Sequence, residues 1–186
     1  MLRVRRPHGQ AGKSSSRCWH CTYGDGANGQ PIRWTRDPID LYLYHVTIPT
    51  GVRSIEVKFD FITSDKDGGA RASSDANLAV LDWNIVVLYP YSGPDTRVAS
   101  LTVTPTVILP DSWHTATALK AVAGAMEPTS SVVNFQPVSL EQLVDSPMIS
   151  GRYFREIAVA PEVSPRHYLD MVADRPEDLE VPSSAN

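Results

Sequence analysis

The sequence of 186 residues has few cysteines, no long apolar segment and no excess of basic charge. Two cysteines cannot build the dense disulfide framework of a small secreted scaffold. No apolar run approaches the roughly 18 residues that a membrane-spanning helix needs. With 17 basic and 21 acidic side chains the net charge is 17 − 21 = −4, whereas domains that bind polyphosphates are usually basic. We therefore expect neither a nucleic acid nor a membrane as a partner.

The sequence also lacks the short motifs of common enzyme classes. It contains no Gly-x-Ser-x-Gly nucleophile elbow, no phosphate-binding loop and no Gly-x-Gly-x-x-Gly turn. The helical zinc pair His-Glu-x-x-His is absent, since none of the five histidines is followed by glutamate. Cys18 and Cys21 flank His20, but no further cysteine completes the four ligands of a structural zinc site. We therefore expect no catalytic residue, no metal site and no cofactor in this chain, and no enzymatic activity by itself.

Proline, in contrast, is abundant, with 15 residues in the chain. At this density it favours short strands and rigid turns over long helices. A Ser-x-x-Gln capping box at Ser139 predicts one short helix that continues to about Val144. Apolar and alternating patterns predict strands at about residues 41–48, 55–61, 78–89, 98–109, 132–135, 153–159 and 168–172. The sequence thus predicts an all-β fold, an antiparallel β-sandwich of about seven or eight strands with one short helix.

Three details of this pattern can be tested against a structure. The segments 41–48 and 55–61 flank a Pro-Thr-Gly turn and are predicted to form a hairpin. The segment 78–89 is almost continuously apolar, which predicts a central strand buried on both faces. Pro105 interrupts the segment 98–109, which predicts an edge strand or a bulge there.

Residues 1–25 are basic, small and without periodicity, so we expect a disordered tail. Its positive charge resembles the start of a signal peptide, but the apolar segment that should follow is missing. The chain as written therefore predicts no export signal and a cytoplasmic location by default, while export of a longer parent protein stays open.

Three segments occur in a fixed order: residues 29–51, which begin GQPIRWTRDPIDLY, residues 81–90, LDWNIVVLYP, and residues 137–154, PVSLEQLVDSPMISGRYF. Together they resemble the N-terminal domain of the M61 family of zinc aminopeptidases, the glycyl aminopeptidases. The similarity extends over about residues 26–182. It implies a β-domain that precedes a thermolysin-like catalytic domain, often followed by a PDZ domain. Enzymes of this family remove N-terminal residues and favour glycine and alanine.

The resemblance also implies how the chain is organised. Residues 1–25 would be the tail, 26–175 the M61-type N-terminal domain, and 176–186 a truncated linker toward a catalytic domain that is missing here. Zinc is expected only in that missing domain, because no residue here matches the family's metal ligands or general base. Family members carry one or two strands before the first segment, where this chain has its tail. A truncated or frame-shifted reading of a longer gene would explain both ends.

The function implied by the resemblance is a non-catalytic domain that packs on the catalytic domain and walls its substrate cleft. The candidate substrate-facing residues are Asp145, Ser146, Arg152 and Tyr153. In a family that binds a free α-amine, a carboxylate and a phenol can help to receive it. The alternative is structural, with Asp145 capping a local amide and Tyr153 packing inward. The missing first strands would leave an unpaired edge, which predicts marginal stability or self-association.

A second hypothesis comes from another class of protein. The chain would be a free-standing carbohydrate- or peptide-binding β-sandwich module that uses Trp34, Trp83, Trp113 and the tyrosines as stacking platforms. Against it stands the simpler reading that these aromatic side chains fill the core.

Overall fold

The computed structural model describes residues 2–5, 19–23, 29–59, 72–94, 96–122 and 131–180. The strands in these ranges are, in chain order, β1 (Leu2–Arg5), β2 (Trp19–Tyr23), β3 (Gln30–Pro31), β4 (Trp34–Arg36), β5 (Leu43–Val46), β6 (Glu56–Phe59), β7 (Ala72–Ser74), β8 (Leu78–Leu81), β9 (Tyr89–Pro90), β10 (Thr102–Val103), β11 (Thr106–Ile108), β12 (His114–Thr117), β13 (Val132–Asn134), β14 (Val138–Ser139), β15 (Met148–Gly151), β16 (Tyr153–Val159) and β17 (His167–Ala173). The helix α1 spans Leu140–Val144, and 3-10 turns span Trp83–Ile85, Val98–Ser100 and Pro176–Leu179.

The all-β class with one short helix is confirmed. Each pairing between the strands named above is antiparallel. The strands are short because the chain is interrupted where prolines and turns remove ladder hydrogen bonds. Pro105 is one such point: it separates β10 from β11, and its carbonyl accepts a hydrogen bond from the Phe135 amide at 3.0 Å. As predicted for this segment, β10 and β11 are edge strands, each in a two-stranded sheet of the described residues. None of the helices in the described ranges has the length and apolar character to cross a bilayer.

The described residues fall into two compact units. Unit 1 takes its residues from Met1–Thr63 and Asn84–Arg97, and unit 2 takes its residues from Ser64–Trp83 and Val98–Asn186. Unit 1 contains the sheets β4-β5-β1-β9 and β3-β2-β6. Unit 2 contains the sheet β12-β15-β8-β7 and the two-stranded sheets β10-β14, β11-β13 and β16-β17.

Unit 1 corrects the prediction of a disordered N-terminal tail in two places. Leu2–Arg5 pairs with β5 and β9, and Trp19–Tyr23 pairs with β3 and β6. Composition alone missed these strands because their stability comes from partners far along the chain. Both sheets of unit 1 thus contain strands from the region where missing first strands were expected. The remaining residues of 1–25 lie outside the described ranges.

The predicted hairpin of 41–48 with 55–61 is wrong. β5 and β6 lie in different sheets, β5 between β4 and β1 and β6 beside β2. The turn between them exists, with Gly51 at a φ of +87° and the Val52 amide donating to the Pro49 carbonyl at 3.3 Å. It leads the chain from one sheet to the other because each strand finds a better-matched partner elsewhere. The two strands still contribute to one apolar cluster, in which Ile32 and Val46 are surrounded by Trp34, Ile48, Ile55, Val57 and Leu88.

The segment 78–89 is also not the single central strand that its apolar run predicts. It contains β8, the 3-10 turn Trp83–Ile85 and the first residue of β9, and the division between the two units falls at Trp83. A continuous apolar run indicates burial but does not fix periodicity, so the sequence could not separate these elements.

The buried side chains of unit 2 come from short elements around α1 and β15. Phe135 and Leu140 are each 1% exposed, and Leu143 and Met148 are each 3% exposed. The helix begins as the capping box predicts, because the Ser139 Oγ accepts the Gln142 amide at 3.0 Å. It therefore turns Leu140 and Leu143 inward and delivers the chain to β15.

Candidate functional site

The four candidate residues flank strand β15. Asp145 and Ser146 lie between α1 and β15, and Arg152 and Tyr153 lie where β15 passes into β16. The four residues of β15 span roughly 13 Å in an extended strand. The structure thus places the candidates in two pairs at opposite ends of one strand, and it does not bring Asp145 and Tyr153 together around one ligand.

The first pair completes the end of α1. Asp145 is the C-cap residue, its backbone amide donates to Glu141, and its side chain is exposed. Ser146 is only 3% exposed, and its Oγ donates to the Gln142 carbonyl at 2.7 Å. The Ser146 carbonyl in turn accepts from the Thr117 Oγ at 3.2 Å. Ser146 thus fastens the helix end to β12, while the Asp145 carboxylate remains open to solvent.

The second pair follows Gly151, which is buried at the crossing of β15 with its neighbours. A Cβ at this position would lie 3.1 Å from the Asn77 carbonyl oxygen and 3.2 Å from the Val172 Cβ. The glycine is therefore required by close packing rather than by an unusual backbone conformation. The next amide, that of Arg152, donates to the same Asn77 carbonyl at 2.8 Å. The start of β16 is thereby fixed against the turn before β8.

Side chains then alternate along β16. Phe154 stacks on His114 of β12, with ring centroids 5.6 Å apart and planes inclined by 18°. Tyr153 and Arg155 take the opposite face because side chains of a strand alternate. An Arg155 guanidinium nitrogen donates to the Leu179 carbonyl at 2.6 Å, which fastens the turn Pro176–Leu179 beside the strand.

Between β16 and that turn lies a shallow groove of about 320 Å³ in unit 2. Its lining includes Arg152, Tyr153, Arg155, Pro176, Leu179 and Glu180. Leu179 is buried, while Arg152 and Glu180 are exposed at the groove. The groove therefore combines an apolar floor with three formal charges, two guanidinium groups and one carboxylate, and the Arg155 guanidinium is already hydrogen-bonded to the Leu179 carbonyl.

Two aspartates at the base of the β16–β17 hairpin interact closely. The Asn77 and Leu78 amides donate to Asp75 Oδ1 at 2.7 and 2.9 Å, and the Asn77 amide is the main cause of the lowered pKa of Asp75. A side-chain hydrogen bond with Asp75 raises the pKa of Asp174. As the pH falls, Asp174 therefore takes up a proton before Asp75 does. In the ranges that the structure describes, no three His, Cys, Asp or Glu side chains form a group that could ligate a metal ion.

A polar cluster that the sequence analysis missed lies in unit 1, in the loop before β5. Asp37 Oδ1 accepts the Ile39 and Asp40 amides, each at 2.9 Å, and Asp37 Oδ2 accepts His45 Nε2 at 2.8 Å. The hydrogen bond from His45 is the largest cause that lowers the pKa of Asp37 to about 2. The Asp-Pro-x-Asp sequence is the signal that could have indicated this Asx turn.

Two of the three tryptophans proposed as stacking platforms are buried. Trp83 and Trp113 are 8% and 7% exposed, and Trp34 is half-buried with an edge contact to Tyr44 at 6.1 Å. Buried rings cannot stack on a sugar or peptide from solution, so this observation favours their role in packing. Cys18 lies outside the described residues, as do the side chains of His20 and Cys21.

Comparison with known families gives a match that includes residues of both units. Residues 23–152 match the family described as the peptidase M61 N-terminal domain. Among curated proteins, none is significantly similar to the chain.

Comparison with solved structures indicates the same architecture. The crystal structure of an aminopeptidase N family protein from Idiomarina loihiensis superposes with a TM-score of 0.65 at 12% sequence identity. The similarity covers 92% of this chain but only 28% of that protein. At this identity the likeness concerns the fold, and the chain spans little more than a quarter of the longer protein.

Proposed function

Because this chain belongs to the peptidase M61 N-terminal domain family, we propose that it is the non-catalytic part of a zinc aminopeptidase. The observation that carries the proposal is the family match over residues 23–152. In this role the domain packs on a catalytic domain and forms one wall of the cleft that receives peptides with N-terminal glycine or alanine. In this proposal the zinc and its ligands belong to the catalytic domain, because no residue of the sequence matches the His-Glu-x-x-His motif of the family.

We further propose that the domain functions within a longer polypeptide. The printed title of the structural neighbour names an aminopeptidase N family protein, and this chain corresponds to 28% of its length. The DNA that flanks the coding sequence tests this part directly. A downstream reading frame with His-Glu-x-x-His supports a gene fragment, and its absence in every frame contradicts it.

The surface assigned to the cleft wall is the end of β15 that carries Arg152 and Tyr153. It is the end at which a groove is present, and its backbone is held by the Arg152–Asn77 hydrogen bond. Asp145 at the other end is a second candidate because its carboxylate is exposed. Ser146 supports that end of the strand through its hydrogen bond to Gln142.

The chain alone is expected to show no zinc-dependent hydrolysis of glycyl or alanyl substrates. The physical reason is that a catalytic zinc needs three protein ligands and an open position. The measurement is release of a chromogenic leaving group from both substrates with added zinc, repeated with a chelator. Chelator-sensitive hydrolysis by the purified chain would contradict the non-catalytic assignment.

The proposed cleft-wall role is tested in the longer polypeptide. The variants Tyr153→Phe and Asp145→Asn are compared with the control Tyr168→Phe. Tyr168 is an exposed tyrosine of the same unit and lies in β17. We expect a loss of tenfold or more in kcat/KM, about 1.4 kcal/mol, in a variant whose side chain faces the substrate. The melting temperature should be unchanged. If kcat/KM for glycyl substrates is unchanged in both variants, the segment is structural and the cleft-wall role fails.

A further inference from the structure

Besides the Arg155 guanidinium, which donates to the Leu179 carbonyl, the groove beside β16 holds two unlike charges that are not paired with each other. Arg152 and Glu180 both line it, yet neither belongs to an ion pair among the residues that the structure describes. A guanidinium and a carboxylate that line one groove without closing into a pair leave both charges available to a ligand. A ligand that carries both signs of charge at its two ends would satisfy them together.

The shape of the groove is set by contacts that do not involve these two charges. Arg155 donates to the Leu179 carbonyl, and Leu179 is only 9% exposed. The turn Pro176–Leu179 is thus held against β16 before any ligand arrives. A preformed site binds more tightly than one that must be ordered on binding, because less conformational entropy is lost.

The groove is also small and partly apolar. Its volume of about 320 Å³ lies at the lower end of the range for ligand pockets, which suits a ligand of a few residues. Tyr153, Pro176 and Leu179 provide apolar contact area along it. A zwitterion with an apolar side chain fits all of these features.

We propose that this groove binds a short peptide with two free termini, its carboxylate at Arg152, its ammonium group at Glu180 and its side chains along Tyr153 and Leu179. The planar guanidinium can hold a carboxylate through two parallel hydrogen bonds. The inference rests on the proposed function for the source of the peptide, a short substrate or product of the attached catalytic domain.

The test is a binding titration of the full chain with the dipeptide Ala-Ala, followed by calorimetry or by NMR chemical shifts. We expect saturable binding with a dissociation constant on the order of 1 mM. Ala-Ala amide and N-acetyl-Ala-Ala should each bind about tenfold more weakly, since each loses a hydrogen-bonded charge. Equal binding of the capped and uncapped dipeptides, or no saturable binding of Ala-Ala, would overturn the proposal.

Variants locate the site. Arg152→Gln should weaken Ala-Ala binding about tenfold and remove the preference for the free acid over the amide. Glu180→Gln should remove the preference for the free amine over the acetylated peptide. Arg166→Gln is the matched control, because Arg166 is an exposed arginine of the same unit next to the far end of the hairpin.

Unchanged discrimination in Arg152→Gln would show that the carboxylate binds elsewhere, which contradicts the proposal. Because both capped peptides are also compared on the unaltered chain, a variant that fails to fold does not leave the question open. The titration requires no catalytic domain. If the titration shows no binding, the peptide-binding proposal is wrong, and the cleft-wall role is still tested by the kinetic experiment. If the kinetic experiment shows no effect, the cleft-wall role is wrong, and the result of the titration still stands.

Discussion

At the scale of the residue, the Asp37 carboxylate is the centre of a group of hydrogen bonds in unit 1. Its two carboxylate oxygens hold the amides of Ile39 and Asp40 and the ring of His45. Asp40 extends the same pattern, since its Oδ1 accepts the Tyr42 amide at 3.0 Å. The loop so constrained exposes Ile39 to 91% of its surface. Side-chain hydrogen bonds, rather than burial, therefore fix the conformation of this loop.

The charge on Asp37 should make part of the stability depend on pH. Folding lowers the pKa of Asp37 from 3.8 to about 2, mainly through the hydrogen bond from His45. The contribution of the ionised carboxylate is thus fully present above about pH 4 and is lost as the pH falls through about 2. We expect the melting temperature of the unaltered chain to fall more steeply in this window than that of Asp37→Asn.

Thermal unfolding followed by circular dichroism at several pH values measures this difference. Asp111→Asn serves as the control, because Asp111 is exposed and belongs to unit 2. Parallel curves for the unaltered chain and Asp37→Asn would mean that the Asp37–His45 contact does not stabilise the folded state.

At the scale of the element, β15 is the central connection of unit 2. It pairs on one side with β12 and on the other with β8, and it passes into β16 after Gly151. Ser150 is fully buried, and its Oγ donates to the Thr115 Oγ at 2.9 Å. A buried hydroxyl is tolerated here because its hydrogen bond is satisfied within the β12–β15 pair. The strand is therefore fixed both by its ladder and by side chains.

Gly151→Ala should destabilise this element by about 1–3 kcal/mol, the usual range for overpacking. The added methyl group would lie 3.1 Å from the Asn77 carbonyl oxygen and 3.2 Å from the Val172 Cβ. Chemical denaturation of the single variant measures the change in free energy of unfolding. The double variant Gly151→Ala/Val172→Ala should show a coupling energy of favourable sign, since the shorter side chain relieves one of the two close contacts. Full stability in the single variant would mean that the crossing is looser than these distances indicate.

At the scale of the whole molecule, the β16–β17 hairpin is packed at one end and exposed at the other. Tyr153, Phe154 and the paired residues Val172 and Ala173 are half-buried. Toward the turn, the exposed apolar side chains are Val159, Val163, Tyr168 and Leu169, each at close to half of its full exposure. An isolated two-stranded ribbon is only marginally stable in water, and exposed apolar patches favour contact with other proteins.

We therefore expect the isolated chain to self-associate at high concentration, through this hairpin rather than through missing first strands. Leu169→Lys should shift the equilibrium toward the monomer because it places a charge in the contact. Ser54→Lys adds the same charge at an exposed position of unit 1 and should have little effect. Sedimentation velocity over a range of concentrations measures the difference. A strictly monomeric sample at every concentration would contradict this prediction.

The local signals in the sequence fixed several features correctly. The capping box located α1, Pro105 indicated an edge strand, and the proline content and period-2 patterns indicated an all-β chain. These features depend on neighbours within a few residues, so the sequence contains them directly. The three segments that resemble M61 peptidases are confirmed by the family match over residues 23–152.

Tertiary structure alone decided which strands pair and which candidate residues share a surface. The sequence predicts that β5 and β6 form a hairpin, but β5 pairs with β1 and β6 pairs with β2. Strand pairing depends on long-range packing, which the local pattern does not contain. Asp145 and Tyr153 are close in the sequence, but the strand β15 separates them in space. Likewise, the groove needs residues near 152 and near 180 to meet, and the Arg155–Leu179 hydrogen bond that joins them crosses 24 positions of the chain. No local pattern of the sequence encodes such a contact, since it forms only when the turn Pro176–Leu179 packs against β16.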